Sequence, residues 1–162
     1  MHGLHLTADL HDCQCGMQWL TDKEALGAVC LKAVTAAGLQ PVGKLVHGFP
    51  ATPEGPGGVT ATVLLAESHL CVHTWPEQRG VTLDVYVCNF GADHSVKAKA
   101  LAGVFEALFV PGCVERHALQ RGVIPLEAVA RNRVRPAEGS RPFSQEGARE
   151  GHEVTGLGQA VP

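Results

Sequence analysis

The chain has 162 residues and a mass of 17.1 kDa, the size of one ordinary domain. Hydrophobic residues make up 45% and charged residues 18%, which supports a buried core and argues against disorder throughout. A net charge of −3 and an aromatic content of 5% argue against a general affinity for nucleic acid or for acidic membranes.

Cysteine and histidine are unusually frequent, with six and nine copies. They could form disulfides, a metal site or a catalytic site. The opening Met-His-Gly-Leu-His-Leu contains no basic segment followed by an apolar run, and no stretch of about 18 apolar residues occurs anywhere. We therefore expect a cytoplasmic, thiol-reducing setting, in which structural disulfides are rare.

The first half of the chain predicts a strand, a helix and a second strand. Apolar and polar residues alternate from Leu4 to Leu10, as in a half-buried strand. Thr21-Asp22-Lys23-Glu24 has the form of a capping box, so a helix is expected to begin there and to end at Gly38. A second strand is predicted over 41–49, before a loop rich in proline and glycine at 50–58.

The second half predicts three more strands and a helix. Strands over 59–66 and 70–74 flank the polar trio Glu67-Ser68-His69. Alternation from Val81 to Cys88 indicates a further strand, with Cys88 pointing away from the most apolar face. Asp93 or Ser95 can cap a helix that runs to Leu108, and 113–119 forms a last strand.

This order of elements predicts an α+β fold, a two-layer α/β sandwich with a mostly antiparallel sheet packed on helices. The composition changes near Leu126, after which Arg, Glu, Gly and Pro mix without apolar periodicity. We therefore expect a folded domain over 1–125 and a disordered tail over 126–162.

The densest polar stretch inside the apolar part of the chain is 67–77. Strands that should bury side chains are joined there through Glu, Ser and His, without the Gly or Asn of an ordinary tight turn. Local rules that fail in this way often mark a functional site. On pattern alone, a polar hairpin turn with a surface histidine is an equally good interpretation.

The same stretch resembles a known family. Glu-Ser-His-Leu-x-x-His-Thr-Trp-Pro-Glu, followed by a Leu-Asp-Val-Tyr-x-Cys strand, is similar to the self-cleaving site of the prokaryotic S-adenosylmethionine decarboxylase proenzymes. The segment from His5 to Cys13 resembles the opening strand of that family, and Arg121 to Pro125 resembles its ending. The resemblance covers about residues 3 to 125.

The resemblance implies that the chain cuts itself between Glu67 and Ser68, giving a β chain of 1–67 and an α chain of 68–162. Ser68 would attack the carbonyl of Glu67 within a close, strained turn and become a pyruvoyl group, the only cofactor expected. Thr60 falls where the family has a serine that supports processing. By the same resemblance, His73 is the proton acceptor in processing.

The resemblance also implies the roles of the catalytic and substrate-binding residues. The substrate amine would form a Schiff base at the group derived from Ser68, and Cys88 holds the position of the proton donor. Phe49, Trp75 and Glu77 are the expected substrate-binding residues. Two departures bear on the substrate: the loop at 50–58 is about five residues longer than expected, and Asn89 replaces the glycine that usually follows the cysteine.

Other interpretations remain open at this stage. The same pyruvoyl chemistry could act on ornithine or arginine, as in relatives of the family. An uncleaved, non-catalytic homologue is a second alternative. A zinc module using histidines and cysteines near the N-terminus is a third, although the expected spacing of Cys-x2-Cys pairs is missing and His5 and His11 lie about 20 Å apart on a strand. No metal is expected, and family members form dimers of processed protomers, so a homodimer acting on a small molecule is expected.

Overall fold

Residues 2–122 are described in the computed structural model, so the expected tail at 126–162 lies outside the described residues. A 3-10 turn at Pro76–Gln78 precedes the fifth strand. In chain order the helices and strands are β1 (Gly3–Cys13), α1 (Gln18–Thr21), α2 (Lys23–Ala36), β2 (Pro41–Gly48), β3 (Val59–Leu65), β4 (Ser68–Trp75), β5 (Gly80–Cys88), α3 (Ser95–Phe109) and β6 (Pro111–Arg121).

The six strands form one sheet in the order β2-β3-β4-β5-β1-β6, and every neighbouring pair is antiparallel. Helix α2 packs on β2 and β3, and α3 packs on β1 and β5. The expected α+β sandwich of an antiparallel sheet on helices is therefore confirmed. The longest helix has 15 residues, and none of the helices described over 2–122 is long and apolar enough to cross a membrane.

Side-chain alternation gives the sheet two different faces. One face carries the core against the helices, including Val81, Leu83, Val85 and Val87 of β5, all at most 1% exposed. The opposite face, which we call the open face, carries the residues of the other parity, and none of the described helices packs on it. Its central members are Thr60, Thr62, Cys71, His73, Thr82, Asp84 and Tyr86.

The predicted capping box at Thr21 is wrong. Thr21 ends the short helix α1, and its hydroxyl donates a hydrogen bond to the Met17 carbonyl oxygen at 2.9 Å. The cap of α2 is Asp22, whose Oδ1 accepts hydrogen bonds from the amides of Glu24 and Ala25 at 2.9 and 3.1 Å. Thr21 belongs to α1, the short helix before α2, and is therefore not the cap that the pattern predicts. Helix α2 ends at Ala36, and Gly38 follows with a φ of +69°, as expected for a terminating glycine.

Several strand ends also differ from the prediction. Strand β3 ends at Leu65 and β4 begins at Ser68, so the turn is only Ala66 and Glu67, and Ser68 and His69 are strand residues. Pairing of Leu65 with Ser68 continues the ladder to the edge of that turn. Strand β2 ends one residue early, at Gly48, and β6 extends beyond 113–119 because it pairs with β1 along its whole length.

Candidate functional site

Ser68 and Cys88 meet at one end of the two central strands, β4 and β5. Ser68 is the first residue of β4 and Cys88 is the last residue of β5. The backbone amide of Cys88 donates a hydrogen bond to Ser68 Oγ at 3.0 Å. Cys88 has the opposite parity to Val87, as predicted, yet its side chain is only 7% exposed. Both residues line a cavity of about 380 Å³ between the end of α2 and the start of α3.

The turn before Ser68 is built without left-handed residues. Within residues 2–122, the non-glycine residues with positive φ are Asp12, Arg79 and Val110. Ala66 and Glu67 are not among them, although tight two-residue hairpins usually have a positive φ at one or both turn positions. The expected strain in this turn is therefore not seen in its φ angles.

His73 and Thr60 form a second pair, on the open face. Thr60 Oγ1 lies 2.9 Å from His73 Nδ1, and the two residues are direct partners across β3 and β4. Phe49, Trp75 and Glu77 line the same cavity, which has a volume of about 520 Å³. The loop at 50–58 forms the rest of its wall. The structure thus brings together the three expected substrate-binding residues and the two expected processing residues.

The two pairs are separate within one chain. Ser68 and His73 are five residues apart on β4, an odd number, so their side chains leave opposite faces of the strand. The same spacing corresponds to about 16 Å along the strand. They line different cavities. The structure therefore joins Ser68 to Cys88 and His73 to Thr60, and it does not join His73 to Ser68.

Thr74 supports the second pair and was missed by the sequence analysis. It is 5% exposed, its hydroxyl donates to the Leu20 carbonyl oxygen at 2.6 Å, and it accepts from the Val59 amide at 2.7 Å. A Cβ at Gly58 would lie 2.0 Å from the Thr74 carbonyl oxygen, so only glycine fits where the loop rejoins the sheet. The available signal was a threonine at a core position of an apolar strand.

His94 was also missed, and it lies on the side of Ser68. It lines the cavity that contains Ser68 and Cys88. Its Nδ1 is the one buried side-chain nitrogen or oxygen in the described part of the chain that has no hydrogen-bond partner. Its backbone amide is bound to Asn89 Oδ1 at 2.9 Å, which fixes the start of α3. No pattern in the sequence singled out this histidine.

Comparisons with known proteins agree on one family. The family model described as S-adenosylmethionine decarboxylase matches residues 4–122. A protein named S-adenosylmethionine decarboxylase proenzyme from Parasynechococcus marenigrum (strain WH8102) is 34% identical over 120 residues, 74% of this chain and 83% of the relative. Proteins of the same name from Methanococcus vannielii and Archaeoglobus fulgidus are 31% and 33% identical, covering 78% and 74% of this chain and 95% and 97% of theirs.

A solved structure agrees with these matches. The crystal structure of the adenosylmethionine decarboxylase from Aquifex aeolicus VF5 superposes with a TM-score of 0.65 at 29% sequence identity. The superposition covers 76% of this chain and 93% of the other.

The cysteines near the N-terminus, Cys13 and Cys15, are buried and free. The Arg79 guanidinium donates to the carbonyl oxygens of Cys13 and Cys15 at 2.6 and 2.8 Å, which holds the loop after β1. Burial, with a smaller effect of Cys15, raises the pKa of the Cys13 thiol to about 11, and burial raises that of Cys30 to about 12. Across residues 2–122 no group of three or more His, Cys, Asp or Glu side chains is placed to hold a metal ion.

These pKa values predict selective thiol alkylation. At pH 8 only about one in a thousand Cys13 side chains is a thiolate, so iodoacetamide should modify exposed Cys113 first and leave Cys13 and Cys30 almost untouched in the folded protein. Raising the pH from 7 to 8 should speed the modification of Cys13 about tenfold, because the pH stays below its pKa. Peptide mass spectrometry over time measures both rates. Equal rates of modification of Cys13 and Cys113 at pH 8 would contradict the raised pKa of Cys13.

Proposed function

The chain belongs to the S-adenosylmethionine decarboxylase family, and on that premise we propose that it is a self-processing carboxy-lyase that converts S-adenosylmethionine to S-adenosylmethioninamine and CO2. The observation that carries the proposal is the contact of Ser68 Oγ with the Cys88 amide, inside a family match that spans both residues. The product is a precursor of spermidine. None of the relatives described above is named for ornithine or arginine, so nothing favours those substrates.

Self-cleavage begins at Ser68. Its Oγ attacks the Glu67 carbonyl carbon, the bond from that carbon to the Ser68 nitrogen breaks, and the hydroxyl proton passes to the nitrogen. Removal of the Ser68 α-proton then breaks the bond between Cβ and Oγ and releases Glu67 as a carboxylate. Water finally displaces ammonia from the new N-terminus. The Cys88 amide, which already donates to Ser68 Oγ, keeps this oxygen at the hairpin where the first bond forms.

The pyruvoyl group formed from Ser68 supplies a carbonyl that binds the substrate amine and accepts the electrons left by CO2. The side chains around Ser68 suit such a group. Cys88 is nearly buried and lines the same cavity, so its thiol can give a proton to the substrate carbon without competition from bulk water. His94 also lines this cavity.

His73 requires a second copy of the chain to act on Ser68. The 16 Å separation and the opposite faces rule out direct proton transfer between them within one protomer. The open face carries exposed apolar side chains on β2 and β3 that another copy could cover: Leu45 and Leu64 are 75% and 53% exposed. In the proposed (αβ)2 homodimer, His73 and Thr60 of the partner subunit approach the Ser68 α-proton from the open face, at the end of β4.

Phe49, Trp75 and Glu77 are assigned to substrate binding. They share a cavity with His73, so a dimer that brings the partner subunit's His73 to Ser68 also brings this cavity to the reacting group. Aromatic side chains can stack on an adenine ring, and a carboxylate can accept hydrogen bonds from ribose hydroxyls.

The first prediction is self-cleavage itself. The wild-type protein should yield chains of 67 and 95 residues, the larger with a blocked N-terminus, whereas Ser68→Ala should remain a single chain of 162 residues because no oxygen can attack Glu67. Denaturing electrophoresis and intact mass measure the result. An uncut wild-type protein after long incubation would contradict the proposed cofactor.

The second prediction separates processing from turnover. Cys88→Ala should still be cleaved, since the amide that contacts Ser68 is retained, but CO2 release from carboxyl-labelled S-adenosylmethionine should fall about a hundredfold for loss of a general acid. Cys113→Ala is the matched control, because Cys113 is an exposed cysteine on β6, and it should retain full activity. Full activity of Cys88→Ala would refute the role of the thiol.

The third prediction tests the shared site. Ser68→Ala and His73→Ala should each stay uncut when expressed alone. When they are co-expressed with different tags, the His73→Ala chain should be cut, because its Ser68 faces the intact His73 of the partner subunit, and the Ser68→Ala chain should stay whole. Tag-specific blotting measures both. If purified heterodimers leave the His73→Ala chain whole, the shared site is wrong.

A further inference from the structure

Two consecutive hydrogen bonds on the open face connect Asp84, through His5, to Arg121 at the end of β6. Arg121 Nη1 lies 3.2 Å from His5 Nδ1, and His5 Nε2 lies 3.2 Å from Asp84 Oδ1. A guanidinium can only donate hydrogen bonds, so His5 Nδ1 accepts, and the ring proton is on Nε2, which donates to Asp84. Asp84 therefore orients His5, and His5 orients the guanidinium of Arg121.

The oriented guanidinium lies at an opening beside the cleavage point. A cavity of about 410 Å³ is lined by the turn residues Ala66 and Glu67, by Ser68 and by Arg121. The Arg121 Cζ atom is 5.8 Å from the centre of the Tyr86 ring, a cation–π distance. The guanidinium is therefore held by the Tyr86 ring as well as by His5.

His69, which also lines this cavity, does not supply a second permanent cation. Burial lowers the pKa of His69. The nearby His5 and Arg121 lower it further, whereas Asp84 raises it. Its imidazole is therefore neutral near pH 7. Arg121 is the one residue lining this cavity that is positively charged at any physiological pH.

Self-cleavage, the proposed function on which this inference rests, changes the charge at the opening. Ordinary hydrolysis of a peptide bond gives a carboxylate and an ammonium group, and their charges cancel. Here the Ser68 nitrogen leaves as ammonia and the new N-terminus is uncharged, so the carboxylate of Glu67 is the one charge that the reaction adds. A carboxylate formed beside a fixed hydrogen-bonding cation is stabilised by it.

We propose that Arg121, positioned by His5 and Asp84, is the binding site for the main-chain carboxylate that Glu67 gains on cleavage. The planar guanidinium matches a carboxylate through two parallel hydrogen bonds. Glu67 lines the same cavity as Arg121, so its freed end can reach the guanidinium without unpairing β3. Anchoring this end at β6 keeps it away from the group at position 68, which the substrate has to reach.

The substrate also carries a carboxylate, the one that leaves as CO2. An ion pair with that group would be strongest before the bond breaks and would weaken in the transition state, so it would slow decarboxylation. The carboxylate of Glu67 is permanent and takes no part in turnover. The main-chain carboxylate of Glu67 is therefore the better partner for Arg121. The KM for S-adenosylmethionine distinguishes this partner from the substrate carboxylate.

The test is digestion of the processed enzyme with carboxypeptidase at pH 7. Arg121→Gln should lose Glu67 at least about threefold faster than the wild type, the protection expected of an exposed ion pair. Arg116→Gln is the matched control, since Arg116 also lies on β6 but pairs with Glu106 at 2.6 Å, and it should lose Glu67 at the wild-type rate. The mass of the shorter chain over time gives the rates, and the KM for S-adenosylmethionine should be unchanged in Arg121→Gln.

Equal rates of Glu67 loss in the wild type and in Arg121→Gln would overturn the proposal. Equal rates together with a raised KM for S-adenosylmethionine would assign Arg121 to the substrate carboxylate. If Arg121→Gln does not fold or process, 1 M NaCl, which shortens the screening length to about 3 Å, should speed loss of Glu67 from the wild type but not from a synthetic peptide with the same end. A salt-independent rate would overturn the proposal. A wild type that yields no 67-residue chain would instead contradict self-cleavage.

Discussion

Side-chain alternation along one strand, β4, determines how this chain can do its chemistry. Ser68 and His73 belong to the same eight-residue strand, but an odd spacing sends them to opposite faces. Ser68 shares its parity with Leu70, Val72 and Thr74, which are buried towards the helices. No rotation of side chains can overcome this, because the backbone hydrogen bonds to β3 and β5 fix the strand on both sides. A single protomer therefore contains two halves of a site.

The sheet also explains how a cut chain stays folded. The proposed cleavage gives β1, β2 and β3 to one product and β4, β5 and β6 to the other. In the sheet these strands are interleaved, since β1 lies between β5 and β6, and β3 pairs with β4 across the cut. The two products share one continuous set of backbone hydrogen bonds and one core, so neither can leave without breaking three strand pairs. Cleavage therefore changes the chemistry at position 68 without disturbing the support around it.

Much of the fold could be predicted because its signals are local. Alternation in β1 and β5 is strong, and those strands appear where the pattern puts them, although β1 runs beyond the predicted ends. The errors came from context: the cap at Asp22 depends on a short helix, α1, that has no periodicity of its own. The polar trio at 67–69 suggested a loop, whereas pairing with β3 and β5 extends the strand through Ser68.

The site was predictable as residue types and not as an arrangement. The motif supplies Ser68, His73 and Cys88, and counting parity along 68–75 would have separated the first two, had the strand been known to begin at Ser68. His94 and Arg121 lie at the start of α3 and the end of β6, which approach Ser68 only in the folded sheet. Such long-range contacts leave no periodic signal in a single sequence.

The separation of the two halves also bears on the loop at 50–58, which the resemblance leads us to expect to be about five residues longer than in the family. This loop lines the cavity with Phe49 and His73 and does not line the cavity with Ser68 and Cys88. Its ends are fixed, because the Phe49 amide donates to the Gly58 carbonyl oxygen and Gly58 packs against Thr74. Between these fixed ends the loop contains a bridge from Thr52 to Gly55. Loop length can thus change the fit of a substrate while the hairpin that is cut keeps its geometry.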